Sequence, residues 1–238
     1  MRFFFSILTL AALAAYGGVL FGDDFDSYPE GYDLGDAPAW AYFDGDGITV
    51  TGGEATTDSG NDVIITAVGA QEGEDYAVGC AFTGVTEADG GEVLLCLRAS
   101  VHSRVHELYY VDVVPSTGGY CLDLYYEQDG NPVLLTGACL AADVEDWHRL
   151  GISIAGSGPV EFEVYFDGDL VFPYTQATHI ALAGFPGFGL VGGDAGARVD
   201  GFVQTDGGAS VADVSFGWIK ARFCRTASCG RLTPMGPF

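Results

Sequence analysis

Residues 146–171, DWHRLGISIAGSGPVEFEVYFDGDLV, carry the clearest structural pattern in this chain. From Val160 to Phe166, apolar residues alternate with polar ones, and this period of two is typical of a strand that buries one face. Asp167-Gly168 then separates this run from Leu170, and Asp-Gly between two such runs indicates a tight hairpin. The stretch therefore predicts antiparallel β-structure.

The same alternation extends over most of the chain, whereas no stretch of helical length has convincing helical spacing. Turns are plentiful, because the chain has 36 glycines. Many short strands joined by glycine-rich turns are typical of an all-β sandwich or barrel. The further predicted strands are residues 48–50, 62–68, 76–82, 92–99, 107–114, 120–126, 133–136, 147–155, 187–191 and 197–204.

The length of 238 residues suits one large β-domain, because single all-β domains commonly reach about 200–250 residues. We predict a signal peptide over residues 1–20, a β-domain over 21–217 and a basic C-terminal tail over 218–238. No internal repeat or linker divides the β-domain further.

The N-terminal segment has the features of a signal peptide. Met1-Arg2 precedes a nearly uncharged stretch, residues 3–22, in which small residues suit a signal-peptidase cleavage site. A retained membrane anchor is the alternative, since the stretch approaches the roughly 20 residues that span a bilayer. Glycines interrupt it, however, and no second apolar segment of spanning length follows. We therefore expect a secreted protein, extracellular or at the cell surface, with no stable membrane span after cleavage.

Six cysteines in an exported chain indicate disulfide bonds, because oxidising compartments preserve them. Cys121 and Cys139 lie nine residues either side of Gly130, within the turn signal Gln-Asp-Gly-Asn. A hairpin at this turn would place the two cysteines opposite each other, within the separation that a disulfide tolerates.

The same spacing argument predicts a second cross-strand disulfide. Cys80 and Cys96 lie eight residues either side of Ala88, in another stretch rich in turn residues. Cys224 and Cys229 would then close a small loop by elimination. Buried free thiols are the alternative for each of these cysteines.

The charge of the chain is strongly negative, at −24, and all 33 acidic residues lie between Asp23 and Asp213. This distribution disfavours nucleic acid and anionic membranes as partners. Calcium binding, a saline habitat or plain solubility would each account for the excess. The C-terminal tail is basic instead, with four basic residues between Lys220 and Arg231. It either docks on the acidic domain, meets a cell-surface partner or frays.

The order of these signals resembles the concanavalin A-like, laminin-G-like jelly rolls of lectin type. DDFDSYPEG, residues 23–31, is similar to the opening strand of that family, and YAVGCAFTG with EVLLCLRAS is similar to its long strand pair. Residues 146–171 resemble its Trp-strand-turn-strand-Asp-Gly run, and residues 187–204 its closing Gly-x-Gly-Leu…Val-Asp-x-Phe strand. The match covers residues 22–205 and implies a two-sheet antiparallel jelly-roll sandwich.

The resemblance also implies one ion site. Many members of the family hold a structural calcium where the first and last strands meet, using the Asp of the closing Val-Asp-x-Phe motif. That residue is Asp200 here, with Asp24, Asp26 and backbone oxygens around Gly47 as candidate partners. Calcium selects hard oxygen donors of this kind, so we expect structural Ca²⁺. In the alternative, Asp200 caps or turns the strand without metal.

Aromatic residues are the best indication of a ligand. A sandwich that binds sugar stacks exposed rings on the pyranose and uses carboxylates to accept its hydroxyl protons. In ELYYVDV and CLDLYYEQ, one tyrosine of each pair points outward whichever face is buried. We select Tyr109 and Tyr125 as carbohydrate-binding residues, with Trp40 as a third candidate. Trp147 is a further candidate, although its motif favours a core position.

Catalytic motifs are incomplete in this sequence. Relatives that hydrolyse β-glucans carry Glu-x-Asp-x-Glu, whereas residues 161–165 read EFEVY, with a tyrosine in place of the last carboxylate. We therefore favour a non-catalytic module that binds a polysaccharide or glycoconjugate. A self-associating protein of an envelope or extracellular matrix is the second hypothesis. A divergent glycan hydrolase that uses Glu161 and Glu163 is the third.

Overall fold

A computed structural model describes residues 18–57, 62–88, 90–102, 105–177, 183–191 and 196–206. Most of the predicted signal peptide, the basic tail and the predicted pair Cys224–Cys229 lie outside the described residues. Nothing helical within these ranges has the length and apolar character that a membrane crossing requires.

Strands make up almost all the regular structure, apart from a 3₁₀ turn at Leu34–Asp36. Every strand predicted from the sequence overlaps an observed one. The strands are β1 (Val19–Asp23), β2 (Tyr32–Asp33), β3 (Ala41–Asp44), β4 (Ile48–Thr51), β5 (Glu54–Thr57), β6 (Val63–Thr66), β7 (Tyr76–Thr83), β8 (Glu92–His102), β9 (Val105–Ser116), β10 (Gly119–Gln128), β11 (Asn131–Ala141), β12 (His148–Ala155), β13 (Val160–Phe166), β14 (Asp169–Gln176), β15 (Phe185–Val191) and β16 (Arg198–Thr205).

The strands form two antiparallel sheets. The nine-stranded sheet has the order β14-β13-β12-β7-β16-β5-β4-β2, and β1 pairs with the free part of β16. The seven-stranded sheet has the order β11-β10-β9-β8-β15-β6-β3. This arrangement confirms the predicted two-sheet jelly-roll sandwich.

The core lies between the sheets, because one face of each strand is apolar. In β13, for example, Val160, Phe162 and Val164 are buried, whereas the glutamates between them are exposed. At one end of the core, an aromatic cluster forms around Trp40, which meets Phe188 and Phe202 edge to face. Burial of such rings is the main stabilising contribution in a sandwich of this size.

The first and last strands meet as the resemblance implied. Asp23 of β1 lies opposite Phe202 of β16, and its carboxylate accepts hydrogen bonds from Trp40 Nε1 at 2.9 Å and Tyr28 OH at 2.8 Å. A buried indole N–H needs such an acceptor. Asp23 therefore ties the opening motif to the aromatic cluster.

The disulfide predictions have different outcomes. Cys121 and Cys139 are directly opposite on β10 and β11 and form the predicted disulfide. The prediction for Cys80 and Cys96 is wrong, because both are free and buried. β7 and β8 belong to different sheets, so the segment between them crosses the sandwich rather than turning a hairpin. Cys80 faces the core, while Cys96 faces away from it.

Arg98 holds the two sheets together at one end. It lies at an irregularity in β8 with φ of 49°, and its side chain is fully buried. The guanidinium donates to the carbonyl oxygens of Glu74 and of Gly156, at 2.7 Å for the latter, and these residues precede β7 and follow β12 of the other sheet. Arg98 therefore links the seven-stranded sheet to the nine-stranded one through charge-assisted hydrogen bonds.

Candidate functional site

The outward surface of the seven-stranded sheet combines aromatic rings with carboxyl groups, and we call it the tyrosine face. It is centred on β8, β9 and β10, where alternate residues point away from the core. Its members are Glu92, Leu94, Cys96, Leu108, Tyr110, Asp112, Asp123, Tyr125 and Glu127.

Tyr110 and Tyr125 form a ring pair at the centre of the tyrosine face. They are directly opposite on β9 and β10, and their rings stack with centroids 5.2 Å apart and planes inclined by 20°. Tyr125 covers Tyr110 and remains partly exposed itself. Beside it on β11, Leu134 is 54% exposed. Tyr125 and Leu134 thus offer an accessible apolar surface.

Carboxyl groups flank the ring pair along the same strands. Asp112 follows Tyr110 by two residues, Asp123 precedes Tyr125 by two, and the two aspartates are directly opposite. Burial raises the pKa of Asp112, and the neighbouring carboxyl of Glu92 raises it further. Burial also raises the pKa of Glu92, although its hydrogen bond with Asp112 opposes this change. These two carboxyls therefore interact strongly, and a proton held between them would relieve their repulsion.

Asp123 and Glu127 complete the polar part of the tyrosine face. Burial raises the pKa of both carboxyls, and a hydrogen bond with Tyr110 opposes the rise for Glu127. Asp123 lies against Gly137 of β11, where a Cβ would come within 1.9 Å of Asp123 Oδ1. Glycine is therefore needed at position 137 for the observed placement of this carboxylate.

Of the predicted carbohydrate-binding tyrosines, the structure places Tyr125 on the surface but not Tyr109. Tyr109 is 0% exposed and packs in the core against Phe162, so its selection was wrong. The sequence held a usable signal that we missed. Tyr109 alternates in phase with Val111 and Val113, whereas the phase of Tyr110 includes Asp112. Because Asp112 is polar, the alternate residues that include Tyr110 are the ones that point outward.

The prediction for Trp40 was also wrong, and so was the preference for a core position at Trp147. Trp40 is 2% exposed and belongs to the aromatic cluster of the core, so it cannot stack on a sugar. Trp147, for which a core position was favoured, is 44% exposed. His148 takes the inward position instead, with its ring tilted against Phe166 at 4.9 Å and hydrogen bonds to Asp167 Oδ2 and the Asp143 carbonyl oxygen.

The predicted calcium residues are only partly brought together. Asp24 and Asp26 lie near Asp200. Burial is the main cause that raises the pKa of Asp200 to about 7, and the charges of Asp26 and Asp24 add to the rise. Asp200 Oδ1 is buried and has no hydrogen-bond partner among the described residues. Gly47 does not belong to this group. Gly47 precedes the first residue of β4. The other end of β4 is the one near Asp200, because its last residue, Thr51, pairs with Glu54, which lies beside Asp200.

The residues around Asp200 have the right kind of ligand atoms for a metal ion, but they are not already arranged around one. An orphaned carboxylate oxygen beside further carboxylates is the donor set that calcium prefers. Over the described ranges, however, no three Asp, Glu, His or Cys side chains converge closely enough to hold a metal ion. Binding would require side-chain rotation.

The carboxylates of the hydrolase hypothesis lie on the opposite side of the molecule. Glu161 and Glu163 point outward from β13 in the nine-stranded sheet. Glu163 accepts a hydrogen bond of 2.5 Å from Tyr165, the residue at the position of the missing third carboxylate. Both glutamates are exposed, so this strand presents a solvated surface rather than a cleft.

Solved structures share this fold at low sequence identity, while no family model and no curated sequence matches the chain. The carbohydrate-binding module CBM66 from Bacillus subtilis is 18% identical, with a TM-score of 0.55 over 71% of this chain and 97% of that one. The Emp47p carbohydrate recognition domain is 12% identical, with a TM-score of 0.54 over 82% and 98%. A galectin-like protein of unknown function from Bacillus subtilis is 12% identical, with a TM-score of 0.59 over 80% and 97%. This chain therefore has the concanavalin A-like jelly-roll fold.

Proposed function

We propose that this protein is a secreted, non-catalytic carbohydrate-binding module that holds a polysaccharide or glycoconjugate on the tyrosine face. The observation that carries the proposal is the stacked pair of Tyr110 and Tyr125 beside several carboxyl groups. An apolar pyranose face packs on an aromatic ring, and carboxylates accept sugar hydroxyl protons. The tyrosine face offers both on one rigid sheet.

The structural neighbours support the same class of function. Two of them are a carbohydrate-binding module and a carbohydrate recognition domain, and each is covered almost completely by this chain. Fold likeness alone is an association rather than a mechanism. Its value here is that it agrees with a surface that has the chemistry for sugar contact.

The carboxyl geometry supports binding rather than hydrolysis. Retaining glycosidases separate their two carboxyls by about 5–5.5 Å, and inverting ones by about 6.5–9.5 Å. Glu92 and Asp112 instead interact through a hydrogen bond, so no sugar oxygen fits between them. In this proposal the carboxyls of the tyrosine face fix the orientation of the sugar.

A glycan array followed by titration calorimetry tests the proposal. We expect Tyr125→Ala to weaken binding of the best glycan about tenfold, because loss of one ring contact costs about 1.4 kcal/mol. Tyr165→Ala is the matched control, since Tyr165 is a partly exposed tyrosine on the outer face of the other sheet. Absence of binding to any glycan, or equal losses in both variants, would count against the proposal.

We propose in addition that Ca²⁺ binds at Asp200, with Asp24 and Asp26 as further ligands. The cation would neutralise the charges that raise the pKa of Asp200 and would coordinate its unpartnered oxygen. We expect the melting temperature to fall when EDTA removes calcium from the wild-type protein. Asp200→Asn should abolish this response. If neither EDTA nor added calcium changes the melting temperature of the wild-type protein, the site is refuted.

Secretion is part of the proposed function. The N-terminal segment has the composition of a signal peptide, and the Cys121–Cys139 disulfide fits an oxidising compartment. We expect the protein in the culture medium or on the cell surface of a secreting host, shortened at its N-terminus by about 20 residues. Intracellular retention at full length would contradict this expectation.

Self-association as a structural protein is the second candidate function. β11 and β14 are each one of the two edge strands of their sheet, and they lie close together on the same side of the sandwich. They expose Val133, Leu134 and Leu170, and apolar edge strands favour pairing with another chain. Sedimentation that depends on protein concentration, together with an array on which no glycan binds, would favour this candidate.

A further inference from the structure

The carboxyl groups of the tyrosine face lie close enough together to repel one another when they are ionised. Asp112 is directly opposite Asp123 and hydrogen-bonded with Glu92 of the strand on its other side. Like charges directly opposite in a sheet are destabilising. The arrangement therefore needs a compensating group, either a shared proton or a cation.

One carboxylate oxygen in this group is left without a partner. Asp112 is 9% exposed, and its Oδ1 atom has no hydrogen bond among the described residues. A buried acceptor without a donor costs about 1–3 kcal/mol, and such atoms in folded proteins call for an explanation. The oxygen sits on the same face as Tyr110, two residues away along β9. A donor from a ligand on the ring pair would reach this buried oxygen once the side chains around it move aside.

The part of the chain that the structure describes supplies little positive charge to the tyrosine face. Among the described residues the arginines lie elsewhere: Arg98 is buried between the sheets, and Arg149 and Arg198 belong to strands of the other sheet. Of the basic side chains that the structure describes, His106 lies near this face, where it interacts with Glu127 and packs against Phe43. Within the described ranges, no arginine or lysine therefore faces Glu92, Asp112 and Asp123, and a cationic ligand would supply the missing charge.

The three carboxylates do not converge to ligating distances in the described structure, so a metal ion would require their side chains to rotate. An ammonium group has less demanding geometry, since its three hydrogens can be donated to separate acceptors. Two residues along a strand span about 6.6 Å, so substituents of a sugar ring on Tyr125 would lie within reach of Asp123 and Asp112.

We propose that the tyrosine face recognises a glycan with free amino groups, such as a polymer of glucosamine, and disfavours glycans of uronic acids. This inference rests on the proposed function and names its ligand class. The pyranose ring packs on Tyr125, while its ammonium group donates to Asp112 and Asp123. The ammonium then takes the place of the proton that Asp112 and Glu92 share.

The test compares two hexamers by titration calorimetry with the full mature chain at pH 6 and 150 mM salt. One is β-1,4-linked glucosamine, and the other is its N-acetylated form, which has the same linkage and no charge. We expect the glucosamine hexamer to bind at least tenfold more tightly, and polygalacturonate to give no binding. Proton release should accompany binding of the glucosamine hexamer, visible as a dependence of the measured enthalpy on the ionisation enthalpy of the buffer.

Two matched double variants distinguish binding at the tyrosine face from nonspecific attraction of a positively charged glycan to an acidic protein. Glu92→Gln with Asp112→Asn removes two carboxylates of the tyrosine face, and Glu161→Gln with Glu163→Gln removes two exposed carboxylates from the other sheet. We expect at least a tenfold loss for the first double variant and less than a twofold loss for the second. Thermal unfolding checks that both are folded.

Each outcome decides a different claim. Equal losses in the two double variants, or equal affinity for the two hexamers, would overturn the preference for amino sugars. If neutral glycans still bound the tyrosine face in that case, the proposed carbohydrate-binding function would stand. Failure of every glycan to bind would overturn both.

Discussion

Replacement of Asp112 by Asn should stabilise this protein at neutral and alkaline pH. Burial beside Glu92 and Asp123 raises the pKa of Asp112 to about 8, whereas an aspartate in an unfolded chain titrates near 3.9. Between these values the folded state keeps a proton that the unfolded state has released. The free energy of unfolding therefore falls as the pH rises through this window.

The magnitude follows from the size of the window. Each pH unit between the two pKa values lowers the contribution of Asp112 to the free energy of unfolding by about 1.4 kcal/mol. The three units from pH 5 to pH 8 therefore lower it by up to about 4 kcal/mol. The shared proton distributes part of this cost over Glu92, which leaves about 2–4 kcal/mol for Asp112. The Asn amide has the same shape and can still donate a hydrogen bond to Glu92.

Urea unfolding of wild type and Asp112→Asn from pH 5 to pH 8 measures the effect. We expect the variant to gain stability relative to wild type steadily with pH, by about 2–4 kcal/mol across this range. Asp46→Asn, a change at an exposed loop position, is the control and should shift stability equally at all pH values. A difference between Asp112→Asn and wild type that is constant with pH, or that falls as pH rises, would refute the reasoning.

Three further variants test other parts of the structure. Arg98→Met should lower the free energy of unfolding by about 2–4 kcal/mol in urea, because the carbonyls of Glu74 and Gly156 lose a charged donor; a loss below 1 kcal/mol would show that Arg98 does not hold the sheets together. The double variant Cys121→Ser with Cys139→Ser opens a loop of separation 18 and should cost about 3 kcal/mol, and unchanged stability would contradict the disulfide. Gly137→Ala should displace the carboxylate of Asp123 and weaken binding of the glucosamine hexamer severalfold, with less than about 1 kcal/mol change in stability; unchanged binding would remove Asp123 from the site.

The strands could be predicted from the sequence because each carries its own alternation. Val160 to Phe166 is the clearest case, and the turn after it is encoded by Asp167-Gly168 alone. Sheet membership could not be predicted in the same way. The spacing of Cys80 and Cys96 fits a hairpin, but a chain that crosses between sheets needs turn residues as well. Symmetrical spacing therefore located Cys121–Cys139 correctly and failed for the other pair.

The outward phase of β9 could be read from its sequence, but the pairing of Tyr110 with Tyr125 depends on the register between β9 and β10, which neither strand reveals alone. Tyr109 and Tyr125 were selected as outward residues, yet the partner that lies opposite Tyr125 is Tyr110. Two opposite residues share a face, so Tyr109 and Tyr125 point to different sides. The burial of Trp40 was equally hidden, because its indole acceptor, Asp23, is 17 residues away. Long-range contacts of this kind have no local signature.

Backbone amide shifts recorded while the best glycan of the array is titrated into the labelled protein test the proposed binding surface most directly. If the tyrosine face is the site, the largest shifts will cluster on β8, β9 and β10 around Leu94, Tyr110 and Tyr125. Shifts that cluster instead on β12, β13 and β14 around Glu163, or that remain absent while the glycan binds elsewhere, would contradict the assignment.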